Sequence, residues 1–261
     1  MDLEIKMENT NSGTTTKDFN SICMACYNGE KYIAKQIDSI LKQIAENDEL
    51  IIVDDCSTDN TVRVINDFED KRIQLVCNNT NIGVNKAFEK AIKKAKGTII
   101  FMADQDDIWT ENRYVIMTEK LKEKNVMCVS GNSIAIDGEG NYIDFYLGEL
   151  HSSDSYAYKK NIEKMFAGKA YYYGCAMAFH RNLDDIILPF PQKIESHDLW
   201  IAMAANLLKS NYHIDDVVLE RRVHGSNASI VSRPLSKKIY SRIVFVWMLF
   251  QLKKRMRSQQ L

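Results

Sequence analysis

The chain is 261 residues long, 45% hydrophobic and 26% charged, with 34 Lys and Arg against 35 Asp and Glu and a net charge of −1. That length allows one large domain or two small ones around a real core, and the balanced charge excludes a nucleic-acid binder, which needs surplus cations to displace counterions from phosphates. With 3 Pro and 11 Gly, collagen-like, low-complexity and repeat architectures are excluded as well.

Residues 1–17 are polar, partly acidic and lack the apolar core of a signal peptide, so they read as a flexible tail on a cytoplasmic protein. Order is expected from about Phe19. "SICMACYNGE" opens with a short apolar strand and breaks at Asn28-Gly29, a turn signal. The next segment places Ile33, Ile37, Ile40, Leu41 and Ile44 at helical spacing. "ELIIVDDCSTDNT" is a buried strand running into polar residues, and a helix can start from Asp59 with Val62, Ile65 and Phe68 inward. "RIQLVCN" is a third strand, "NKAFEKAIKKAKG" a third helix stopping at Gly97, and "TIIFMADQDD" a fourth strand. This alternation predicts a doubly wound, mostly parallel α/β sheet of Rossmann-like type. Such sheets bind ligands at the carboxyl ends of their strands, where Asn28, the pair Asp54 and Asp55, and the trio Asp104, Asp106 and Asp107 would converge.

The second half is less regular. A strand pair is expected around Gly138 and Gly140, then a polar stretch to about Lys164, then a strand in "AYYYGCAMAFHR". "ESHDLWIAMAANLLKS" reads as a helix with Ser196 as N-cap, and "YHIDDVVLERRVHGSNAS" as a strand leaving into a polar loop. No composition break divides the chain, so one domain over 18–232 is expected, with an appended basic helix over 233–261. In that helix Lys237, Lys238, Arg242, Lys253, Lys254, Arg255 and Arg257 flank "IVFVWMLF", and no acidic residue occurs. The apolar core is too short to span a bilayer. It suits the surface of an anionic membrane, or packing on the domain or a second subunit. The 6 Cys (Cys23, Cys26, Cys56, Cys77, Cys128 and Cys175) lie mostly in apolar runs and read as buried thiols, since no second ligand pair accompanies Cys23 and Cys26.

Several polar residues carry two readings each. Asp104 and Asp106, two apart in an extended segment, share one side, and together suit a hard divalent cation such as Mg²⁺ or Mn²⁺. They could equally be an acidic cluster at a helix N-terminus. Asp55 or Ser57 could cap the following helix, while a carboxylate at that strand end can accept bonds from a ribose or a pyrimidine. Asp198, in the first turn of its helix, suits either the helix dipole or a general base at a pocket rim shaped by His197 and Trp200. His224, beside Arg221 and Arg222, is a phosphate or metal candidate, or a structural histidine. No G-x-G-x-x-G follows the first strand and no Walker loop occurs, which disfavours a nicotinamide dehydrogenase or a P-loop ATPase and leaves phosphate handling to a metal ion.

Taken together and in order, "ACYNGEKYI", "IIVDDCSTDNT", "NTNIGVNKAFEKAI", "FMADQDDIW", "SHDLWIAMAA" and "RRVHGSNAS" resemble family 2 glycosyltransferases of the GT-A fold, and the D-Q-D-D-x-W form resembles their bacterial rhamnosyltransferase-like branch. Two positions depart from the pattern: Ala25 stands where Pro is usual, and His197 precedes Asp198 where Glu is commoner. The resemblance implies an inverting transfer from a nucleoside-diphosphate sugar, dTDP-rhamnose or a UDP-sugar, to a hydroxyl of a capsule, O-antigen or exopolysaccharide acceptor that is lipid-linked. It implies a nucleotide-binding half over 18–125 and an acceptor half over 126–232. It further implies nucleotide contacts from Ala25, Tyr27, Asn28, Glu30, Asp54, Asp55, Lys86, Asp104, Gln105 and Arg222. Metal ligation falls to Asp104, Asp106 and His224, and proton abstraction to Asp198. Asp107, Trp109, Gly174, Cys175, His197 and Trp200 would then shape the sugar and acceptor pocket, and the enzyme would work in the cytoplasm, peripherally on the inner face of the plasma membrane. Two other readings stand beside it: a sugar-phosphate nucleotidyltransferase, for which "CYNGEKY" is a poor Gly- and Arg-rich loop, and a catalytically inactive nucleotide-sugar-binding relative.

Overall fold

The structure, a computed structural model, describes residues 19–223 and 234–259. The chain alternates strand and helix through β1 (Ser21–Cys26), α1 (Ile33–Leu41), β2 (Glu49–Asp54), α2 (Thr61–Asn66), β3 (Ile73–Cys77), α3 (Val84–Lys94) and β4 (Ile99–Asp104). It continues through β5 (Ile108–Trp109), α4 (Arg113–Lys124), β6 (Cys128–Ile136), α5 (Tyr158–Ala167), β7 (Met177–His180), α6 (Asp184–Ile187), α7 (His197–Leu207), β8 (Asn211–Arg222) and α8 (Leu235–Ser258). The strands form one sheet in the order β3-β2-β1-β4-β7-β6-β8-β5. β1 pairs in parallel with β2 and β4, and β2 with β3. β7 is antiparallel to both β4 and β6, and β5 is antiparallel to β8. The sheet is thus mixed: the strands of the first hundred residues pair in parallel, and β6 and β8 form a further parallel pair.

β1 and β2 are buried along their whole length, which is why they read as unbroken apolar runs rather than as alternation. Alternation instead assigns their side chains to two layers. Cys23 and Ala25 join Phe88 of α3, Trp200 of α7 and Met248 of α8 in one cluster, while Ile22, Met24 and Cys26 join Ile33 of α1 and Met117 of α4 in the other. The helical face predicted from Ile33, Ile37 and Ile40 is fully buried. Of the three residues expected inward on the second helix only Ile65 is fully inside; Val62 is half-buried, and Phe68, also half-buried, lies beyond the end of α2.

Elsewhere the irregular half departs from expectation. The second strand of the pair near Gly138 reduces to a single bridge between Ile136 and Tyr142 across the turn that Asp137 holds by accepting from three backbone N–H groups. The stretch expected to stay irregular to Lys164 contains α5, whose exposed lysines and glutamate mask the inward Asn161 and Met165. β7 is shorter than its apolar run because Gly174–Ala176 forms a 3-10 turn. Ser196 is the N-cap of α7, but its side chain makes no capping hydrogen bond. Helix α8 packs on the domain through Val244, Phe245, Met248 and Leu252, and Arg255 donates to the Ile186 and Pro189 carbonyls at 2.9 and 2.6 Å.

The join between α3 and β4 is sterically the tightest of these features. Gly97 N donates to Ser21 Oγ at 2.7 Å, Ser21 Oγ donates to Glu49 Oε1 at 2.6 Å, and Lys96 N donates to that same oxygen at 2.7 Å. A Cβ on Gly97 would stand 2.5 Å from the carbonyl carbon of Asn20 and from Ser21 N, both backbone atoms. Gly97→Ala is therefore expected to destabilise the fold by about 1–3 kcal/mol, read as a lower urea midpoint; an unchanged midpoint would mean that β1 can give way.

Candidate active site

A cavity of about 630 Å³ opens at the carboxyl ends of β1, β2 and β4, and residues from the first turn of α7 and from β8 complete its wall. Of the residues expected from sequence, it gathers Ala25, Tyr27, Asn28, Asp55, Asp104, Gln105, Asp106, Asp107, His197 and Asp198. Its remaining lining includes Tyr32, Asn81, Gly83, Val84, Ala87 and Arg221.

The first loop is held by side chains of its neighbours. Gln105 forms a reciprocal pair with Tyr27, accepting from its N–H at 2.8 Å and donating to its carbonyl at 3.1 Å. A Cβ on Gly29 would sit 2.4 Å from Gln105 Oε1, so any side chain there would displace Gln105 from this pair. Asn28 Oδ1 accepts from Thr58 N at 2.8 Å, and Glu30 Oε2 from Asn60 N at 2.8 Å. Glu30 thus ties the first loop to the start of α2 and is not among the residues lining the cavity. Asp54 likewise turns away, accepting from Ser57 N at 3.0 Å. Asp55 does reach the wall, where Asn78 Nδ2 and Ile82 N donate to Oδ1 and Gly83 N to Oδ2, so it shapes the loop leading into α3.

The carboxylates after β4 are crowded and poorly solvated. Burial, then Asp107 and Asp106, push the Asp104 carboxyl up to about 8, with Arg221 opposing. Burial and Asp106 push Asp107 up to about 6, although Asp107 Oδ1 accepts from Arg222 N at 3.0 Å. Asp107 Oδ2 is buried with no hydrogen-bond partner among the described residues. Ligand atoms of Asp104, Asp107 and Cys175 lie within 4.8 Å of one another, the one such group of three among the described residues; the Asp106 carboxylate lines the cavity outside it. This charge surplus and orphaned oxygen fit a hard divalent ion held by Asp104 and Asp107 with Asp106 alongside. Cys175 does not fit as a ligand for such an ion, since burial and the two carboxylates hold its thiol well above its ordinary range. His224 lies outside the described residues.

Asp198, in the first turn of α7, also lines the cavity, its Oδ1 accepting from Leu199 N at 2.8 Å. Its negative charge also raises Asp104, so the two face one space. His197 N donates to Asn85 Oδ1 at 3.0 Å, and its ring lies 4.1 Å from that of Phe88. Burial lowers its pKa, leaving a neutral imidazole whose Nε2 has no partner among the described residues. Gly174 lets this turn approach, because a Cβ there would stand 2.7 Å from His197 Nε2.

Lys86, Trp109, Trp200 and Arg222, also expected at the site, do not line the cavity either. Lys86 donates to Glu89 Oε2 at 2.6 Å, and that buried carboxylate also takes Lys93. Trp109 is a core residue with the Arg113 guanidinium 4.3 Å from its ring, and Trp200 is fully buried, donating to the Ile187 carbonyl at 2.9 Å. Arg222 is buried as a clamp, its Nε on the Asp106 carbonyl at 2.8 Å and its Nη1 on the Asp137 carbonyl at 2.6 Å. Arg221, its neighbour in β8, is the arginine that reaches the cavity, braced 4.0 Å from the Tyr173 ring.

Comparison with known proteins gives a match to the family described as "Glycosyl transferase family 2" over residues 21–187. The UDP-Glc:alpha-D-GlcNAc-diphosphoundecaprenol beta-1,3-glucosyltransferase WfgD of Escherichia coli is 32% identical over 192 residues, covering 73% of this chain and 70% of its own length. The crystal structure of S. aureus TarS 1-349 in complex with UDP aligns with a TM-score of 0.65 at 18% identity, over 88% of this chain and 64% of that one. The mannosyltransferase PcManGT from Pyrobaculum calidifontis, in complex with GDP-Man and Mn²⁺, aligns with a TM-score of 0.62 at 16% identity, over 94% of this chain and 75% of that one. The two structural likenesses establish a GT-A fold.

The raised carboxyls give a pH dependence with a defined sign. Between its ordinary value of 3.8 and about 8, Asp104 holds a proton in the folded protein that the unfolded chain has lost. Its contribution to metal-free stability therefore falls as pH rises through that window. Asp104→Asn lacks this cost, so its urea midpoint in chelator should gain on that of the wild type steadily from pH 5 to pH 8 (roughly the window set by the shift). A gap that stays flat with pH would show that the carboxyl is not held protonated.

Proposed function

The chain belongs to glycosyl transferase family 2 and is a glycosyltransferase; from that premise we propose that it moves a sugar from a nucleoside diphosphate to a hydroxyl of a lipid-linked, cell-surface glycan. Family membership sets aside the nucleotidyltransferase reading, and retention of Asp104, Asp106 and Asp198 together argues against an inactive relative. The WfgD likeness favours a UDP-sugar over dTDP-rhamnose as donor. The observation that carries the proposal is one cavity lined both by Asp104, Asp106 and Asp107 after β4 and by Asp198 from α7.

In this reading Tyr27, Asn28 and Asp55 form the nucleotide wall, with Asn81 and Gly83 beside them. Asp104, with Asp106 and Asp107, would hold a divalent cation, Mg²⁺ or Mn²⁺. When bound, such an ion offsets the charge that grows on the diphosphate as it leaves. Asp198 accepts the proton of the acceptor hydroxyl while that oxygen bonds to the anomeric carbon. The bond from the anomeric carbon to the phosphate oxygen breaks, and its electron pair departs with the nucleoside diphosphate. A single displacement of this kind inverts the anomeric centre and needs no protein nucleophile. Arg221 supplies fixed positive charge beside the carboxylates, and neutral His197, packed on Phe88 and against Gly174, fixes the turn that bears Asp198. An acceptor anchored in lipid would keep the enzyme at the inner face of the plasma membrane.

Asp198→Asn should lower transfer by about a thousandfold or more, the scale of losing a positioned base, while calorimetric binding of UDP with Mn²⁺ stays within about twofold of the wild type. Loss of UDP binding in that variant would count against the role given to Asp198. Testing dTDP, GDP and CMP in the same way, each with and without Mn²⁺, assigns the donor nucleotide.

A further inference from the structure

Helix α8 has two apolar faces. Val244, Phe245, Met248 and Leu252 are buried against the domain, in contact with α6 and α7. On the opposite side Ile239, Ile243, Val246 and Phe250 are 56%, 63%, 43% and 68% exposed. Their spacings of four, three and four residues align them in a single stripe about 16 Å long. Exposed cations Lys253, Lys254 and Arg257 continue it past Phe250, and Lys237 and Lys238 precede it on other faces of the same helix. No acidic residue follows Glu220 anywhere in the chain.

We propose that this outward face of α8 binds the surface of an anionic bilayer, with the stripe in the acyl boundary and the cations among the headgroups. Charge complementarity selects this occupant. A second copy of the helix, paired parallel or antiparallel, would set cation against cation at both ends with no carboxylate on either helix to relieve them. An anionic leaflet supplies negative charge to both ends at once and an apolar layer to the stripe between them. Insertion across the bilayer is not the alternative, because no described helix is long and apolar enough to cross it.

The helix is also joined to the turn that carries Asp198. Ser241 Oγ donates to Glu195 Oε1 at 3.0 Å, three residues ahead of Asp198. A cavity of about 500 Å³ lies between residues 192–195 and the first turns of α8, lined by Lys237, Tyr240 and Val244 among others. The same helix would therefore meet the membrane on one face and hold the acceptor side of the catalytic cavity on the other. The proposal deepens the reading of a lipid-linked acceptor, but its test does not depend on transfer.

The full chain is floated with phosphatidylcholine vesicles, with and without phosphatidylglycerol. Wild-type protein should float with the anionic vesicles only, and Ile243→Glu with Phe250→Glu should lower the bound fraction by about tenfold or more. Lys253→Glu with Lys254→Glu should lower it similarly, and added salt should weaken wild-type binding. Because these side chains are exposed, both pairs should keep the wild-type melting midpoint, and UDP binding with Mn²⁺ should be unchanged. Absence of wild-type flotation, or equal flotation of all three proteins, would overturn the proposal. So would a dimer in sedimentation equilibrium that Phe250→Glu dissolves while no vesicle binding is seen, which would give this face to a second copy.

Discussion

Like charge held out of water at the end of β4 is the constraint around which the site is arranged. Burial, and then the neighbouring carboxylates, raise the proton affinity of Asp104 and Asp107. The fold answers with arginines that partly offset the cluster. Arg221 reaches it from the cavity side. Arg113, fully buried, donates to the Met102 carbonyl at 3.2 Å, and its attraction to Asp107 and Asp104 opposes a burial that lowers its own pKa to about 10. Arg222 acts differently, fixing the backbone of the Asp106-Asp107 turn so that the carboxylates cannot swing apart. The two aspartyl shifts persist in spite of this charge, and that residual surplus is the physical reason a divalent ion fits here.

Close approach is the second requirement, and glycine meets it twice. Gly29 lets the first loop lie against Gln105, which joins the end of β1 to the turn after β4. Gly174 lets the start of α7 descend onto the 3-10 turn that also carries Cys175. One contact fixes the nucleotide wall of the proposed site and the other fixes the wall bearing Asp198. Neither glycine has a positive φ; each serves by leaving space for a neighbouring side chain, not by backbone freedom.

How much of this was legible depends on whether the deciding physics is local. Parallel strands with apolar faces on both sides, and helices with Ile33, Ile37 and Ile40 in line, announce themselves in short windows, and so do the polar strand ends that follow. Side-chain destinations do not. Lys86 stands beside the proposed phosphate region in sequence, yet Glu89 three residues on captures it. Trp109 and Trp200 border the acidic motifs but point into the two cores. Arg221 and Arg222 are equivalent in composition, and only the pairing of β8 with β6, Ala135 opposite Arg221 and Ile136 opposite Arg222, decides which one faces the cavity. Tyr32, Asn81 and Gly83 come from loops whose positions Asp55 and Gln105 set through long-range bonds.

The two walls differ in how the chain builds them, and this bears on which one can vary. The proposed nucleotide wall comes almost wholly from residues 25–107, where parallel pairing of β1 with β2 and β4 fixes every strand end. The facing wall comes from Asp198 and His197 on α7 and Arg221 on β8, and α7 rests on α5, α6 and α8. Trp200 bonds the Ile187 carbonyl, and Arg255 of α8 lies 5.1 Å from its ring while bonding the Ile186 and Pro189 carbonyls. A change in these supports would tilt the turn bearing Asp198 while leaving the carboxylates after β4 where the sheet holds them. In the proposed reading, acceptor geometry can thus be retuned from the helical layer, including α8, without rebuilding the part of the site assigned to the diphosphate.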